Sequence, residues 1–111
     1  MEIENFSEDV TVVILPNGAQ LEEKLETVNE ITSNRCDCDV VIDFSKVETL
    51  TSSSICNLMI LNKLLSGCGH RLILCNVSLP VKGILTITGL KTFFEFADDK
   101  FAALESIQRT P

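Results

Sequence analysis

The fold of this chain is decided by the stretch Val40-Val41-Ile42-Asp43-Phe44-Ser45, which is followed after a short link by Thr51-Ser52-Ser53-Ser54. A nearly continuous apolar run of this kind is typical of a central strand that is buried on both faces. A helical pattern begins at Ile55, so the hydroxyl cluster is expected at a helix N-terminus. Free N–H groups and the helix dipole favour negative charge there, including that of a phosphate. The stretch therefore predicts a strand, a loop and a helix with a phosphorylation-sensitive binding surface.

Strands and helices alternate on both sides of this unit. The apolar patterns predict strands at 2–7, 10–15, 40–44, 71–77 and 92–96. They predict helices at 19–33, 55–66, 79–88 and 98–108, the last with Asp98 as a cap. Such an order implies a largely parallel sheet with right-handed crossovers. The predicted fold class is α/β, with a mostly parallel mixed sheet of 4–5 strands and about four helices in a single domain over residues 1–111.

The composition excludes several classes of partner. The formal net charge is −7, whereas nucleic acids and anionic membrane surfaces call for clustered Lys and Arg. The longest apolar stretches fall short of the roughly 18 residues that a membrane span needs, so no membrane insertion is predicted. The N-terminus, residues 1–5, lacks the basic start and apolar run of a signal peptide, and a cytoplasmic location is predicted.

The chain contains five cysteines, and reduced thiols are the simplest interpretation. Cys36 and Cys38 form a Cys-Asp-Cys step in a polar loop. The only further ligands for a metal are Cys68 and His70, far along the chain. We therefore predict no metal site and no cofactor.

Catalytic patterns are weak. The only histidine, His70, precedes a strand, and nothing in the sequence places it beside a serine. No glycine-rich phosphate loop follows any strand. Asp43 and Glu48 lie at a strand end and in a loop, where solvated carboxylates are ordinary. No catalytic residue is predicted, although a small enzyme working through Ser52 or a cysteine stays open as an alternative.

The helix after the hydroxyl cluster has two faces, since successive residues turn by about 100°. A broad apolar stripe is predicted to face the sheet, and it consists of Leu58, Ile60, Leu61, Leu64 and Leu65. The opposite side carries Ile55, Met59, Asn62, Lys63 and Ser66, with Cys56 at its edge. Ser52 falls near that same side. Exposed apolar groups beside a hydroxyl, one of them an adaptable Met, are typical of a protein-binding surface.

The residues resemble a known family. Asp43-Phe44-Ser45-Lys46-Val47 and Thr51-Ser52-Ser53-Ser54-Ile55 are similar to the signature of STAS domains, specifically bacterial anti-sigma factor antagonists. Further matching segments are Pro80-Val81-Lys82-Gly83-Ile84-Leu85, Thr88-Gly89-Leu90, Phe94-Glu95-Phe96 and Ala102-Ala103-Leu104. The resemblance spans nearly the whole chain and agrees with the predicted order of elements.

The resemblance implies a regulator in a partner-switching circuit. The unmodified domain would bind an anti-sigma factor that is also a serine kinase. Phosphorylation would abolish that binding, and a PP2C-like phosphatase would restore it. Residue-by-residue matching assigns the modified serine as Ser52, with Ser53 or Thr51 as less favoured sites. The implied partner-binding residues are Asp43, Ser52, Ile55, Cys56, Met59 and Lys63.

The chain departs from the family pattern in three places. Thr51 occupies the usual position of an Asp, and Ser54 that of a Gly. The turn Pro16-Asn17-Gly18 lacks the Gly-x-[Leu/Phe]-Asp pattern, so a second acidic residue near the site is not expected. The alternative is therefore a STAS scaffold without the switch, such as a subunit of a transporter or of a larger regulatory complex.

Overall fold

The structure is a computed structural model that describes the backbone of residues 3–7 and 10–109 and the side chains of residues 10–107. The strands in these ranges are β1 (Ile3–Ser7), β2 (Val10–Ile14), β3 (Asp39–Asp43), β4 (Leu72–Cys75) and β5 (Glu95–Ala97). The α-helices are α1 (Gln20–Asn34), α2 (Ser52–Gly67), α3 (Leu79–Ile87) and α4 (Lys100–Arg109). A single 3₁₀ turn at Lys91–Phe93 precedes β5.

The five strands form one sheet in the order β1-β2-β3-β4-β5. β1 is antiparallel to β2, and the other three pairs are parallel. Because the strand order advances steadily in one direction, right-handed crossovers place α1, α2 and α3 on one face. α4 packs on the opposite face, against β3, β4 and β5. The predicted α/β class with a mostly parallel mixed sheet is confirmed.

Alternate residues of the strands supply two apolar cores, as the two-residue period of a strand requires. The larger core lies under α1, α2 and α3, and its strand residues are Val13, Val40, Ile42, Leu72 and Leu74; Leu15 and Phe44, directly after β2 and β3, join it. The other lies under α4, and its strand residues are Val10, Val12, Val41, Ile73 and Cys75. Burial on both faces explains why the central strands are apolar without interruption.

The chain after α3 differs from the prediction. The proposed strand at 92–96 begins as the 3₁₀ turn, and only the residues from Glu95 onwards pair with β4. The reason is local, because Phe94 is buried in the larger core and fixes the chain before pairing starts. The last helix is capped by Asp99 and not by Asp98, since the Oδ1 atom of Asp99 accepts a hydrogen bond of 2.8 Å from the Ala102 N–H.

The inner face of α2 is narrower than predicted. Its fully buried positions are Ser54, Leu58, Leu61 and Leu65, spaced four, three and four residues apart. Ile60 is 50% exposed, so the prediction that it faces the sheet is wrong. Leu64 is partly buried, so its predicted burial is confirmed only in part. α2 also packs along α1, and this second contact turns the helix away from the orientation that apolarity alone suggests.

Two of the five cysteines are joined, so the expectation of reduced thiols throughout is wrong. Cys36 and Cys68 form a disulfide, with their Cα atoms 6.2 Å apart. Cys36 follows α1 and Cys68 follows α2, and these neighbouring parallel helices end at the same edge of the sheet. The two cysteines are 32 positions apart in sequence, so their contact follows from the topology and could not be predicted from local patterns. Cys38, Cys56 and Cys75 are free thiols.

Candidate functional site

The candidate site lies where β2 and β3 end and α1 and α2 begin. Parallel strands run in the same direction, so their carboxyl ends and the starts of the following helices meet at one edge. Asp43 is the last residue of β3, and Thr51 is the residue before α2. The hydroxyl cluster therefore stands at this edge, as the sequence predicts.

Thr51 is the N-cap of α2. Its backbone is extended, with φ −93° and ψ 168°, and its Oγ1 atom accepts a hydrogen bond of 3.2 Å from the Ser54 N–H. The same hydroxyl donates to the Glu22 Oε1 atom at 2.6 Å. Because its proton is used there, the Ser54 hydroxyl is the donor in the 3.0 Å contact between the two side chains. α2 thus begins at Ser52, three residues earlier than the apolar pattern suggests.

Ser54 is completely buried, at 0% exposure, and takes its place in the inner face of α2. Its hydroxyl is satisfied by Thr51, which is the condition for burying a polar group without a large penalty. The position where the family usually has Gly is therefore a packing position in this chain, and its hydroxyl is closed to solvent.

The loop between β3 and α2 is fixed by side-chain acceptors. Asp43 is only 9% exposed, and its Oδ1 atom accepts from the Ser45 N–H at 2.8 Å and from Asn76 Nδ2 at 3.2 Å. Asn17 Oδ1 accepts from the Glu48 N–H at 3.2 Å, which ties the Pro16–Gly18 turn to the loop. The expectation of a solvated Asp43 is wrong, because the carboxylate serves the backbone of its own loop.

Two hydroxyls of the cluster remain available. Ser52 and Ser53 are exposed, and neither side chain has a hydrogen bond with any residue in the described ranges. Thr51 is engaged as the cap, and Ser54 is buried. Of the four hydroxyls in the cluster, those of Ser52 and Ser53 are therefore both exposed and free of hydrogen bonds to the described residues.

Ser52 shares one exposed line of α2 with Cys56, Met59 and Lys63, at spacings of four, three and four residues. We call these four residues the α2 outer face. All four are exposed, and Met59 retains 40% of its accessible surface. Ile55, predicted to be exposed, is partly buried and packs against the core, so it borders this face without forming its centre.

The outer face has an apolar neighbour. The Asn62 Nδ2 atom donates to the Phe93 carbonyl oxygen at 3.1 Å and so holds the 3₁₀ turn against α2. Phe93 is exposed, as is Ile60 further round the helix. α2 and the adjoining 3₁₀ turn thus each carry an exposed apolar side chain.

Glu22 is the site residue that the sequence prediction missed. It lies in the first turn of α1, and its carboxylate reaches Thr51 across the gap between the two helix starts. The expectation that no second acidic residue stands near the site is therefore wrong. The available signal was Leu21-Glu22 at the beginning of the helix after β2, because β2 and β3 are neighbours and bring α1 and α2 side by side.

The remaining reactive groups lie away from this edge. His70 Nδ1 is 3.2 Å from Asp39 Oδ1, at the amino ends of β3 and β4, on the opposite edge from Ser52. Burial, helped by the negative charges of Asp43 and Asp99, raises the pKa of the Cys75 thiol to about 12. Across the described ranges, no three His, Cys, Asp or Glu side chains come together as a metal site would require. Within the same ranges, the helices are too short or too polar to cross a bilayer.

The family model of the STAS domain matches residues 3–103 of the chain. Among solved structures, an anti-sigma-factor antagonist (STAS) domain protein from Planctomyces limnophilus has a TM-score of 0.81 and 23% identity, with 96% of this chain and 97% of that chain covered. The anti-sigma factor antagonist SpoIIAA in its unphosphorylated form has a TM-score of 0.80 and 16% identity, with 96% and 95% covered. These likenesses establish the fold.

The Bacillus cell fate determinant SpoIIAA in its phosphorylated form is also similar, with a TM-score of 0.68 and 17% identity over 99% of this chain and 98% of that chain. No curated protein sequence matches the chain.

Proposed function

Because this chain belongs to the STAS domain family, we propose that it is a regulatory domain of the anti-sigma factor antagonist type, which binds its partner through the α2 outer face. The observation that carries the proposal is the position of Ser52, an exposed hydroxyl at the start of α2 in line with Cys56 and Met59. Exposed apolar side chains next to a modifiable hydroxyl make binding sensitive to a single added charge. On this proposal the partner is an anti-sigma factor with serine kinase activity.

Phosphorylation of Ser52 would change the surface without unfolding the helix. A phosphate adds about −1.5 to −2 charges, which the free N–H groups of the first turn tolerate. The cap itself stays intact, because Thr51 and Ser54 supply it. The same phosphate would have to lose water against an apolar partner surface. The Glu22 carboxylate, which accepts a hydrogen bond from the adjacent Thr51, is itself negative and does not compensate the added charge. The modified form is therefore expected to remain folded and to release the partner.

Other residues have supporting roles in this proposal. Cys56, Met59 and Lys63 would contact the partner directly, and partly buried Ile55 would contribute at the edge. Asp43 would act as a positioning residue, because its carboxylate holds Ser45 and Asn76. We further propose a cytoplasmic, non-enzymatic protein, whose phosphate is removed by a PP2C-like phosphatase.

The test begins with the tagged chain as bait in lysate from its source cells and identification of a captured anti-sigma factor by mass spectrometry. The purified partner is then titrated against Ser52→Asp, Met59→Glu and Phe101→Glu by calorimetry. We expect at least about a tenfold loss of affinity for the first two, or about 1.4 kcal/mol. Phe101→Glu exchanges an exposed apolar side chain for a negative charge on α4, on the opposite face of the sheet, and should bind as the parent does. Parent-like binding by Ser52→Asp would refute the switch.

The site of modification is tested separately. Incubation with the partner and ATP, followed by peptide mass spectrometry, should place one phosphate on Ser52 and none on Ser52→Ala. Transfer to Ser53, the other available hydroxyl, would reassign the switch by one residue.

A second candidate is a STAS scaffold without the switch, within a transporter or a larger complex. It is favoured by Thr51, which stands where the family usually has Asp and whose hydroxyl is committed to the cap and to Glu22. Met59→Glu should weaken binding under both candidates. Only the first candidate requires phosphate on the chain.

A further inference from the structure

We propose that Cys36 and Cys68 form a reversible redox modification site, in which the domain keeps its fold as the disulfide and as the dithiol. The bridge joins the chain just after α1 to the chain just after α2. Its Cα–Cα separation of 6.2 Å lies inside the range of about 4.4–6.8 Å that disulfides accept. The proposal is independent of the partner and of Ser52.

The fold does not depend on the bridge. Neither sulfur belongs to the buried apolar cores, although Cys36 packs against the edge of the larger one. A domain of this size buries enough surface to fold without a covalent link. α1 and α2 are also held together by polar contacts, since Asn29 Nδ2 donates to the Asn57 carbonyl at 3.0 Å. The reduced chain is therefore expected to keep the same structure.

The reduced state has a place for its thiol. The Sγ atom of Cys36 lies 3.4 Å from the Leu64 carbonyl oxygen. With the bridge open, the Cys36 S–H can donate to that oxygen, which belongs to the last turns of α2. The Cys36 sulfur therefore has a partner in both states, Cys68 when oxidised and the Leu64 carbonyl when reduced, and the helices need not move.

Reagents can reach the pair through Cys68. This residue is exposed, and its chain neighbours Gly67 and Gly69 carry no side chains that could shield it. Cys36 is partly buried and is better suited to the second step. The reaction partner we assign is a low-molecular-weight disulfide, with two electrons passing from the protein sulfurs to those of the small molecule.

The exchange balances in two steps. The Cys68 thiolate attacks the small disulfide, a mixed disulfide forms, and one small thiolate leaves. The Cys36 thiolate then attacks the Cys68 sulfur, the protein disulfide forms, and the second small thiolate leaves. The two protons released by the cysteines are taken up by the two small thiolates. Reduction follows the same path in reverse.

The other cysteines do not compete on this geometry. Cys56 is exposed but stands 12 positions before Cys68, about 18 Å along α2. Cys75 is buried beneath α4. Cys38 is the nearest alternative, but it is partly buried and its sulfur contacts Thr11 Oγ1 at 3.2 Å. The pairing of Cys36 with Cys68 is therefore expected to be specific.

The test equilibrates the full chain in buffers of graded glutathione to glutathione disulfide ratio, followed by acid quench and maleimide labelling. Mass spectrometry should count five reactive cysteines under reducing conditions and three under oxidising conditions, with a linked peptide pair containing Cys36 and Cys68. Far-UV circular dichroism should be unchanged between the two states. The Tm of the oxidised form should be higher by about 10 °C, since the bridge restricts the unfolded chain.

Matched variants make the result specific. Cys68→Ser and Cys36→Ser should abolish the oxidation-dependent rise in Tm, whereas Cys56→Ser should retain it. The proposal is overturned if five cysteines stay reactive at every ratio, if another pair is linked, or if the reduced chain is unfolded by circular dichroism. None of these outcomes bears on phosphorylation or partner binding, so a failure here is separate from a failure of the proposed function.

Discussion

Replacement of Thr51 by Val tests the cap network that fixes the start of α2. The substitution keeps the shape of the side chain and removes the acceptor of the Ser54 N–H and the donor to Glu22. Loss of an N-cap costs about 1 kcal/mol. The buried Ser54 hydroxyl also loses its acceptor, at a cost of about 1 kcal/mol or more. We expect a total destabilisation of about 2 kcal/mol.

The assay is urea unfolding followed by far-UV circular dichroism, because the chain has no Trp or Tyr to report by fluorescence. With a urea m value of about 1.3 kcal/mol/M, the midpoint should fall by about 1.5 M. Thr51→Ser keeps the hydroxyl and should unfold within about 0.5 kcal/mol of the parent. A midpoint for Thr51→Val equal to that of the parent would refute the network.

A double-mutant cycle separates the two contributions. Ser54→Ala removes the hydroxyl that depends on Thr51 and leaves the acceptor for the Ser54 N–H in place. In the background of Ser54→Ala, Thr51→Val should therefore cost only about 1 kcal/mol, since no buried hydroxyl is left without a partner. Strict additivity of the two substitutions would show that the hydroxyl pair contributes nothing.

Three further predictions address other parts of the molecule. Leu58→Ala should lower the free energy of unfolding by about 3 kcal/mol in urea titrations, because Leu58 is fully buried in the larger core; a loss below about 1 kcal/mol would contradict that placement. Asp43→Ala should speed hydrogen exchange at the Ser45 amide while Asp43→Asn, which keeps an acceptor oxygen, should not; equal rates would contradict the loop contact. Because the pKa of Cys75 is raised, the folded state keeps its thiol proton between about pH 9 and 12, whereas the unfolded state loses it. The contribution of the neutral thiol to the free energy of unfolding is therefore intact below the ordinary pKa of 9.0 and is lost as the pH rises towards about 12. Above pH 9 the stability of the parent should fall more steeply than that of Cys75→Ala, by about 1.4 kcal/mol per pH unit, and parallel curves would contradict the shift.

Periodic features of the chain were predictable and pair contacts were not. The apolar run at 40–44 and the alternation of strand and helix patterns specify a parallel sheet, because each element must bury its own apolar face. Ile60 shows the limit of that reasoning. A helical wheel orients α2 by apolarity, whereas the structure orients it by simultaneous packing on the sheet and on α1, and Ile60 is left exposed.

In the candidate site, too, the position along the chain was predictable and the contacts between distant residues were not. Its place after β3 follows from the order of elements, and the hydroxyls are visible in the sequence. Glu22 and Thr51 are 29 positions apart, and their hydrogen bond depends on how two helix starts meet. The Cys36–Cys68 bridge depends in the same way on where the two helices end. Local sequence patterns do not specify such long-range contacts, because these contacts form only when complete helices pack on the sheet.

α2 is held at both ends, and this limits how a modification at Ser52 can act. Thr51 caps its start, and the Cys36–Cys68 bridge lies directly after its end. A phosphate on Ser52 would meet a helix start whose cap hydrogen bond belongs to a neighbouring residue, so it has no local contact to break among the described residues. Melting of the helix is therefore a poor mechanism for a switch in this domain. Under the proposed function the switch would therefore act through loss of complementarity at Cys56 and Met59, and a phosphorylated chain is expected to unfold at nearly the same urea concentration as the unmodified one while its partner affinity falls.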